Sequence, residues 1–301
     1  MYQKMKILII GSRGFIGSHC VDYFQSKGLE VWQADVNESS VDNFYKINRQ
    51  NSDYSILFKE HQFEVCINAS GSAHVGFSFE NPSKDFELNV VNVQKILVSI
   101  RDYNPLCKFI NFSSAAVYGN PQFLPITENS SCKPLSPYGF HKLQSELLLA
   151  EYHKFFGLNT CSLRVFSAYG PRLKKQLFWD LYQKSLQSDV ISLFGTGNET
   201  RDFIYIDDLL QIIDLVIQHS PFQGSIYNVA SNIETTIAEA AQLFIKVFSP
   251  NKEVVFNEEI KVGDPNNWLA DMEILKGKGF QPQFNLHLGL KKYVKWLKEN
   301  E

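Results

Sequence analysis

The 301-residue sequence has no CxxC pair, no HxxxH or HExxH pair, no internal repeat, no low-complexity stretch and no apolar run long enough to span a bilayer. Each absence excludes something. The five cysteines (Cys20, Cys66, Cys107, Cys132, Cys161) form an odd set, three of them in apolar, strand-like runs. They read as buried structural thiols rather than ligands or nucleophiles. Without paired histidines among the seven, no metal site is suggested. Charge imbalance is also small: a formal net charge of -3 gives no general attraction to nucleic acid or to an anionic membrane surface. The apolar segment at residues 7–10 is too short for a secretory or spanning segment, so a cytoplasmic protein is expected.

What the sequence does have is rhythm. Short apolar runs at residues 6–10, 30–35, 65–70, 108–113 and 160–166 alternate with amphipathic stretches at 15–27, 86–103 and 138–156. Strand, crossover helix and strand in that order predict an α/β protein with a doubly wound parallel sheet. After Pro171 the pattern loosens, with a helix at 176–187, a strand at 190–194, a polar turn at 195–200 and a strand at 203–206. Three further helices centre on Ala238, Ile274 and Tyr293, and short strands on Ile226 and Val254. A domain over 1–170, with 202–230 returning to it, and a smaller α/β substrate part within 171–301, mainly 171–201 and 231–301, are the expected organisation. Open sheets of this kind bind ligands beyond the carboxyl ends of their strands.

Between the first strand and the first helix stands Gly11-Ser12-Arg13-Gly14-Phe15-Ile16-Gly17. Its glycines allow a tight turn and the close approach of a pyrophosphate to a helix N-terminus, where backbone N–H groups and a partial positive charge await it. Asp35 follows 18 residues after Gly17, at the end of the second strand, where a carboxylate accepts both ribose hydroxyls of an adenosine. It would repel a 2′-phosphate, which favours NAD over NADP. Arg13 points the other way, because a guanidinium in this loop could reach such a phosphate, so NADP stays open.

Tyr138 and Lys142 form a YxxxK pair on one helix face. In a chain with 13 tyrosines and 23 lysines, about one such spacing arises by chance, so context decides. That context is Ser113-Ser114-Ala115-Ala116-Val117-Tyr118-Gly119, leaving a strand upstream. With Asn89 in Leu-Asn-Val, Arg-Val-Phe-Ser-Ala-Tyr-Gly-Pro-Arg at 164–172, Gly-Thr-Gly-Asn-Glu-Thr-Arg-Asp-Phe-Ile-Tyr-Ile-Asp-Asp at 195–208, and Val-Gly-Asp-Pro at 262–265, the chain resembles the extended short-chain dehydrogenases/reductases nearly throughout. Within them it is similar to the NAD-dependent nucleotide-sugar epimerase/dehydratase family, in the manner of UDP-glucose 4-epimerases.

The resemblance implies a Rossmann-type domain whose cofactor contacts are Gly11, Arg13, Gly14, Phe15, Ile16, Gly17, Asp35, Ala69, Asn89, Tyr138 and Lys142. It implies Tyr138 as the base on a sugar hydroxyl, Ser114 rather than Ser113 as hydrogen-bond partner of the reacting oxygen, and Lys142 as holder of the nicotinamide ribose. A free phenol titrates near 10. The Lys142 ammonium and an oxidised nicotinamide are expected to lower that value.

On the substrate side, Arg201 matches the arginine that clamps a diphosphate, a task suited to a bidentate guanidinium. An ion pair with Asp202 is the competing use. Lys261 stands where arginine is usual, and Ser167 where an asparagine is usual. Trp268 falls at the position that limits substrate size, so a 2-acetamido sugar is expected to fit poorly; packing between domains is its alternative role. His74, in the loop after a central strand, lines the sugar pocket or is structural.

Dehydratases of the family carry an acid just after the catalytic serine, and here Ala115 and Ala116 occupy that stretch. The leading expectation is therefore a UDP-hexose 4-epimerase with a transient 4-keto intermediate. The runner-up is an NAD(P)H-dependent reductase of a nucleotide-linked 4-keto-6-deoxy sugar, and a non-catalytic cofactor-binding protein comes last. The resemblance also implies a homodimer formed through the helices at 86–103 and 138–156.

Overall fold

The computed structural model describes residues 5–259 and 263–301. Its strands are β1 (Lys6–Ile10), β2 (Glu30–Asp35), β3 (Phe44–Lys46), β4 (Val65–Asn68), β5 (Lys108–Ser114), β6 (Asn159–Val165), β7 (Ser167–Tyr169), β8 (Val190–Leu193), β9 (Thr200–Tyr205), β10 (Gln223–Val229), β11 (Glu234–Thr236) and β12 (Glu253–Phe256). The helices are α1 (Phe15–Ser26), α2 (Ser55–Glu60), α3 (Val75–Glu80), α4 (Pro82–Phe86), α5 (Asn92–Tyr103), α6 (Pro137–Phe156), α7 (Gln176–Ser185), α8 (Ile206–His219), α9 (Ile237–Phe248), α10 (Glu273–Gly277) and α11 (Leu286–Asn300).

Seven strands form one sheet in the order β10-β6-β5-β4-β1-β2-β3. From β1 the chain steps through β2 to β3 on one side and through β4 to β5 on the other, all in parallel register. That reversal beside β1 is the switch point where doubly wound sheets take ligands. Leu8, Ile10, Cys66 and Phe109 on the sheet pack against Leu57, Phe58, Ile96, Leu97 and Ile100 from α2 and α5. Burial this complete explains why β1 and β4 read as unbroken apolar runs. Cys20, Cys66, Cys107 and Cys161 are buried free thiols, and burial pushes each of them up from its ordinary value.

The chain divides into two compact units, one of Met1–Val117, Pro134–Arg164 and Ile213–Tyr227, the other of Tyr118–Lys133, Val165–Ile212 and Asn228–Glu301. The second contains a three-stranded sheet, β11-β9-β7, and the parallel pair β12-β8. Three boundaries depart from expectation. The helix expected at 86–103 begins at Pro82 and passes through a π-helical turn, Glu87–Val91, before α5. The polar turn at 195–200 ends one residue early, because Thr200 already pairs with Thr236 as the first residue of β9. Ile206, expected as strand, opens α8, whose acidic first turn (Asp207, Asp208) suits a helix N-terminus. Among the described residues no helix is long and apolar enough to cross a membrane. Among the described residues no three His, Cys, Asp or Glu side chains group to hold a metal ion either.

Candidate active site

The glycine loop turns directly off β1. Gly11 has φ +79°, and a Cβ there would meet the backbone of Ala69 and Ser70 at 2.6 Å; one on Gly17 would meet the Gly11 carbonyl oxygen at 2.0 Å. Only glycine lets α1 start this close to the ends of β1 and β4. No side chain caps that helix at Gly14, so its first N–H groups are not taken by a capping side chain. Phe15 and Ile16 open the helix half-buried. The Asp35 carboxylate at the end of β2 accepts the main-chain N–H groups of Arg13 and Asn37, each at 2.9 Å. Arg13 thus helps to orient the acid through its backbone while its side chain is exposed.

Asn89 lies in the π-helical turn with both its amide atoms, Nδ2 and Oδ1, buried and without a hydrogen-bond partner. Ser12 Oγ is in the same condition. Leaving a buried polar group unpaired costs about 1–3 kcal/mol. Both residues belong to or neighbour the loop system: an added Cβ on Gly71, just beyond β4, would come within 2.7 Å of Asn89 Oδ1. Unpaired amide atoms, an uncapped helix N-terminus and a strand-end carboxylate together suit a polar dinucleotide.

The second cluster forms where β5 meets α6. Ser136 caps α6, its Oγ accepting Gly139 N at 3.2 Å, and Pro137 occupies the first turn. A Cβ on Gly139 would lie 2.7 Å from the Ala116 carbonyl oxygen. The absent side chain lets the first turn of α6 close on the 3-10 turn Ala115–Val117. This brings the buried Tyr138 phenol to Ser114, with which it shares a hydrogen bond. Lys142, one turn on and also buried, donates from Nζ to the Phe112 carbonyl at 2.8 Å and stands 5.8 Å from the centre of the Tyr138 ring. The glycine directly after Tyr138 is the sequence signal for this close approach.

The expected lowering of the Tyr138 titration is not found in the protein alone. Burial pushes the phenol up to about 12; the Ser114 hydrogen bond opposes that rise and the Asp85 charge adds to it. Lys142 spends its contact on the Phe112 carbonyl, so it does not offset the loss of water around the phenol.

In the second unit, Arg201 lies on β9 with Nη1 donating to the carbonyls of Thr200 and Asn266 at 2.8 and 3.2 Å, its guanidinium 5.4 Å from the Trp268 ring centre. The alternative ion pair with Asp202 does not form. Asp202 points to the other face of the strand, where it accepts Ser231 N, Ser231 Oγ, Asn232 N and Ala270 N. Trp268 is buried, donates from Nε1 to the Gly119 carbonyl at 3.0 Å and meets Phe166 edge-on. Ser167 is half-buried at the start of β7. His74 caps α3, its Nδ1 accepting Phe77 N at 2.8 Å. Lys261 lies outside the described residues.

Two buried polar pairs on α6 have no sequence signal, because their partners are far apart in the chain. Glu146 on α6 receives a two-pronged contact from Arg164 on β6, at 2.9 and 2.7 Å. His141 Nδ1 meets Asp85 Oδ2 at 2.6 Å.

Known proteins resemble the chain along its whole length. The chain is 29% identical to a putative UDP-glucose 4-epimerase of Methanocaldococcus jannaschii, over 98% of this chain and 99% of that one. Among solved structures, UDP-glucose 4-epimerase of Thermotoga maritima with UDP-glucose is 26% identical with a TM-score of 0.87, covering 98% of this chain and 99% of that one. UDP-glucuronic acid 4-epimerase of Bacillus cereus, solved with UDP-glucuronic acid and NAD, is 26% identical with a TM-score of 0.88, covering 99% and 100%. A family profile matches residues 7–230, a span that holds the glycine loop, Asp35, Ser114, Tyr138, Lys142 and Arg201, and by that match the chain belongs to the NAD dependent epimerase/dehydratase family.

Proposed function

We propose that the protein is an NAD-dependent nucleotide-sugar 4-epimerase that works at C4 of a UDP-hexose through a transient 4-keto sugar. The observation that carries this reading is the cluster of half-buried Ser114 with buried Tyr138 and Lys142, in the same unit as the glycine loop, with alanines at 115 and 116 where dehydration would need an acid. Full-length similarity to proteins named or solved as UDP-sugar 4-epimerases supports it.

The glycine loop and the N-terminus of α1 would hold the cofactor pyrophosphate, with Phe15, Ile16 and Ala69 beside it. Asp35 would hold the adenosine ribose, Asn89 would satisfy its amide on the cofactor, and Lys142 would take the nicotinamide ribose. Bound there, NAD supplies a reversible acceptor for the hydrogen and electron pair on C4. The chain's own residues handle the proton: Tyr138 removes it from the C4 hydroxyl and returns it, while Ser114 hydrogen-bonds the same oxygen. Because burial keeps the phenol protonated in the empty protein, Tyr138 becomes a base only when positive charge accompanies the cofactor. Arg201 is the candidate for the substrate diphosphate, with Lys261 and Ser167 as further candidates, His74 for the sugar, and Trp268 as the barrier to a 2-acetamido group.

Purified protein given UDP-galactose and no added cofactor should form UDP-glucose catalytically. Stoichiometric consumption of NADH or NADPH with a nucleotide-linked 4-keto-6-deoxy sugar, and no epimerisation, would replace this reading with the reductase.

The surface of α6 supports the proposed assembly. Phe140 and Leu147 on that helix, and Phe86 at the end of α4, are exposed, and a shallow groove runs between Phe86, Val90, Leu147 and Leu148. A second copy covering this apolar stripe would give a homodimer, which sedimentation should show for the parent and not for Leu147→Glu.

A further inference from the structure

Asp202 is wholly buried on β9, next to Arg201, and the four donors that reach its carboxylate are all neutral. One oxygen accepts Ser231 N and Ser231 Oγ at 2.8 and 2.9 Å; the other accepts Asn232 N and Ala270 N at 3.0 and 3.2 Å. Burying an anion without a cation is costly, and an amide of the same shape would avoid that cost. The placing of the donors shows why an acid stands here. An asparagine has one accepting oxygen, and its NH2 group would confront a main-chain N–H on whichever side it lay. Only a carboxylate serves both pairs of donors at once.

Those donors belong to two segments that surround the Arg201 guanidinium. Residues 266–270 run beside β9: Thr200 N donates to the Asn266 carbonyl at 3.0 Å and Trp268 N to the Thr200 carbonyl at 3.1 Å. β11 covers the other edge of β9, and from Phe203 onward β7 takes this one, so the main-chain ties to residues 266–270 stop. The next tie, at Ala270, is made by the Asp202 carboxylate. Asn232, in the turn between β10 and β11, completes the grip. Its backbone sits at φ +63°, a conformation asparagine tolerates better than most residues, with its N–H on Asp202 and its Nδ2 donating to the Ala270 carbonyl at 2.9 Å. Ala270 is thus held at both its N–H and its C=O. Two residues earlier Trp268 sets its ring 5.4 Å from the guanidinium, and four earlier Asn266 offers its carbonyl to Arg201 Nη1 at 3.2 Å.

We propose that Asp202 positions the grip on the substrate diphosphate: its carboxylate holds residues 266–270 against β9 and so sets the Trp268 ring and the Asn266 carbonyl around the Arg201 guanidinium. The inference rests on the reading of Arg201 as the diphosphate partner. Asp202 points to the opposite face of the strand and is a positioning residue, since it reaches the substrate only through Arg201. Arg201 Nη1 is spent on the Thr200 and Asn266 carbonyls, which leaves Nε and Nη2 for a diphosphate. A shift of Asn266 or Trp268 re-aims that fork. Ser114, Tyr138 and Lys142 keep their own contacts in the first unit, so loss of the carboxylate acts on affinity and not on turnover.

The test titrates NAD-saturated protein with UDP by calorimetry and measures KM and kcat for UDP-galactose. Asp202→Asn and Asp202→Ser should each weaken UDP binding about fivefold or more, the scale of coupling within one hydrogen-bonded network. KM should rise by the same factor while kcat stays within about twofold. On an Arg201→Lys background the same substitutions should cost less than about twofold further, because they act through the guanidinium already removed. A role confined to stability would lower the melting temperature and leave the UDP affinity of the folded protein unchanged. Parental UDP affinity in whichever Asp202 variant folds, or an equal loss in both backgrounds, would overturn the proposal. Parental UDP affinity in Arg201→Lys itself would instead overturn the diphosphate reading of Arg201, and the proposal with it.

Discussion

Ser113 and Ser114 are adjacent on β5 and face opposite ways: the Ser113 hydroxyl donates to the buried Glu146 carboxylate, whereas the Ser114 hydroxyl accepts Ala116 N at 3.1 Å and shares a hydrogen bond with Tyr138. Successive strand residues point to opposite faces, so one serine belongs to the interior and the other to the reacting group.

Each serine should therefore fail in its own way. Ser114→Ala should lower turnover by roughly a hundredfold at unchanged melting temperature, the scale of one lost donor at a reacting oxygen. Ser113→Ala removes a hydrogen bond to a buried carboxylate that keeps Arg164, and should cost about 1.5–3 kcal/mol of stability with turnover within a few fold. Paired melting and turnover measurements decide it; equal losses in both variants would contradict the assignment.

Tyr138 also predicts a pH dependence of stability. Its folded value of about 12 lies above the ordinary value near 10, so the folded protein keeps a proton that the unfolded chain gives up between those limits. The stabilisation is complete below pH 10 and is lost as pH rises towards 12. Tyr138→Phe should accordingly lose about 1 kcal/mol less than the parent between pH 8 and pH 11 in urea unfolding, provided cofactor is absent. An unchanged difference would mean that the phenol is not held protonated by the fold.

The local parts of this site were legible in the sequence because each depends on nearby residues. Gly11 through Gly17 and Asp35 follow from one strand, one turn and one helix, and Tyr138 with Lys142 from a single helix face. Asp85 and His141 are 56 residues apart and meet only through packing of α4 on α6, so no spacing reports them. The π-helical turn was hidden for a related reason: an extra residue accommodated within a helix leaves the apolar pattern of residues 86–103 nearly intact. The opposite facing of Arg201 and Asp202 was readable once both fell on a strand, but the polar run before them concealed where β9 begins.

Arg201 and Trp268 separate binding from packing in the second unit. Arg201→Lys keeps charge but loses the planar fork and the ring contact, and should raise the KM for a UDP-sugar about tenfold or more with a smaller effect on kcat. Trp268→Ala should instead cost about 3–5 kcal/mol of stability, through lost contact with Phe166 and the lost bond to Gly119. Trp268→Phe keeps an aromatic platform and should fold with a KM near the parent's. A parental KM in Arg201→Lys would remove Arg201 from the diphosphate role.

Gly139 is where the backbone decides the chemistry. Its hydrogen faces the Ala116 carbonyl so closely that the methyl of Gly139→Ala would sit 2.7 Å from the oxygen and 3.0 Å from Pro134 Cβ. Backbone cannot swing aside as a side-chain tip does, so the first turn of α6 must move away from Ala115–Val117, taking Tyr138 from Ser114. A displacement of about 1 Å at a reacting group costs on the order of a hundredfold in rate. The glycine loop and Asp35 lie on other elements and are untouched, so Gly139→Ala should still bind NAD by calorimetry, weakened only by what the Tyr138 and Lys142 contacts contribute, while kcat falls by about that factor. If kcat is retained, the approach of α6 to the 3-10 turn is not what delivers the phenol to the serine.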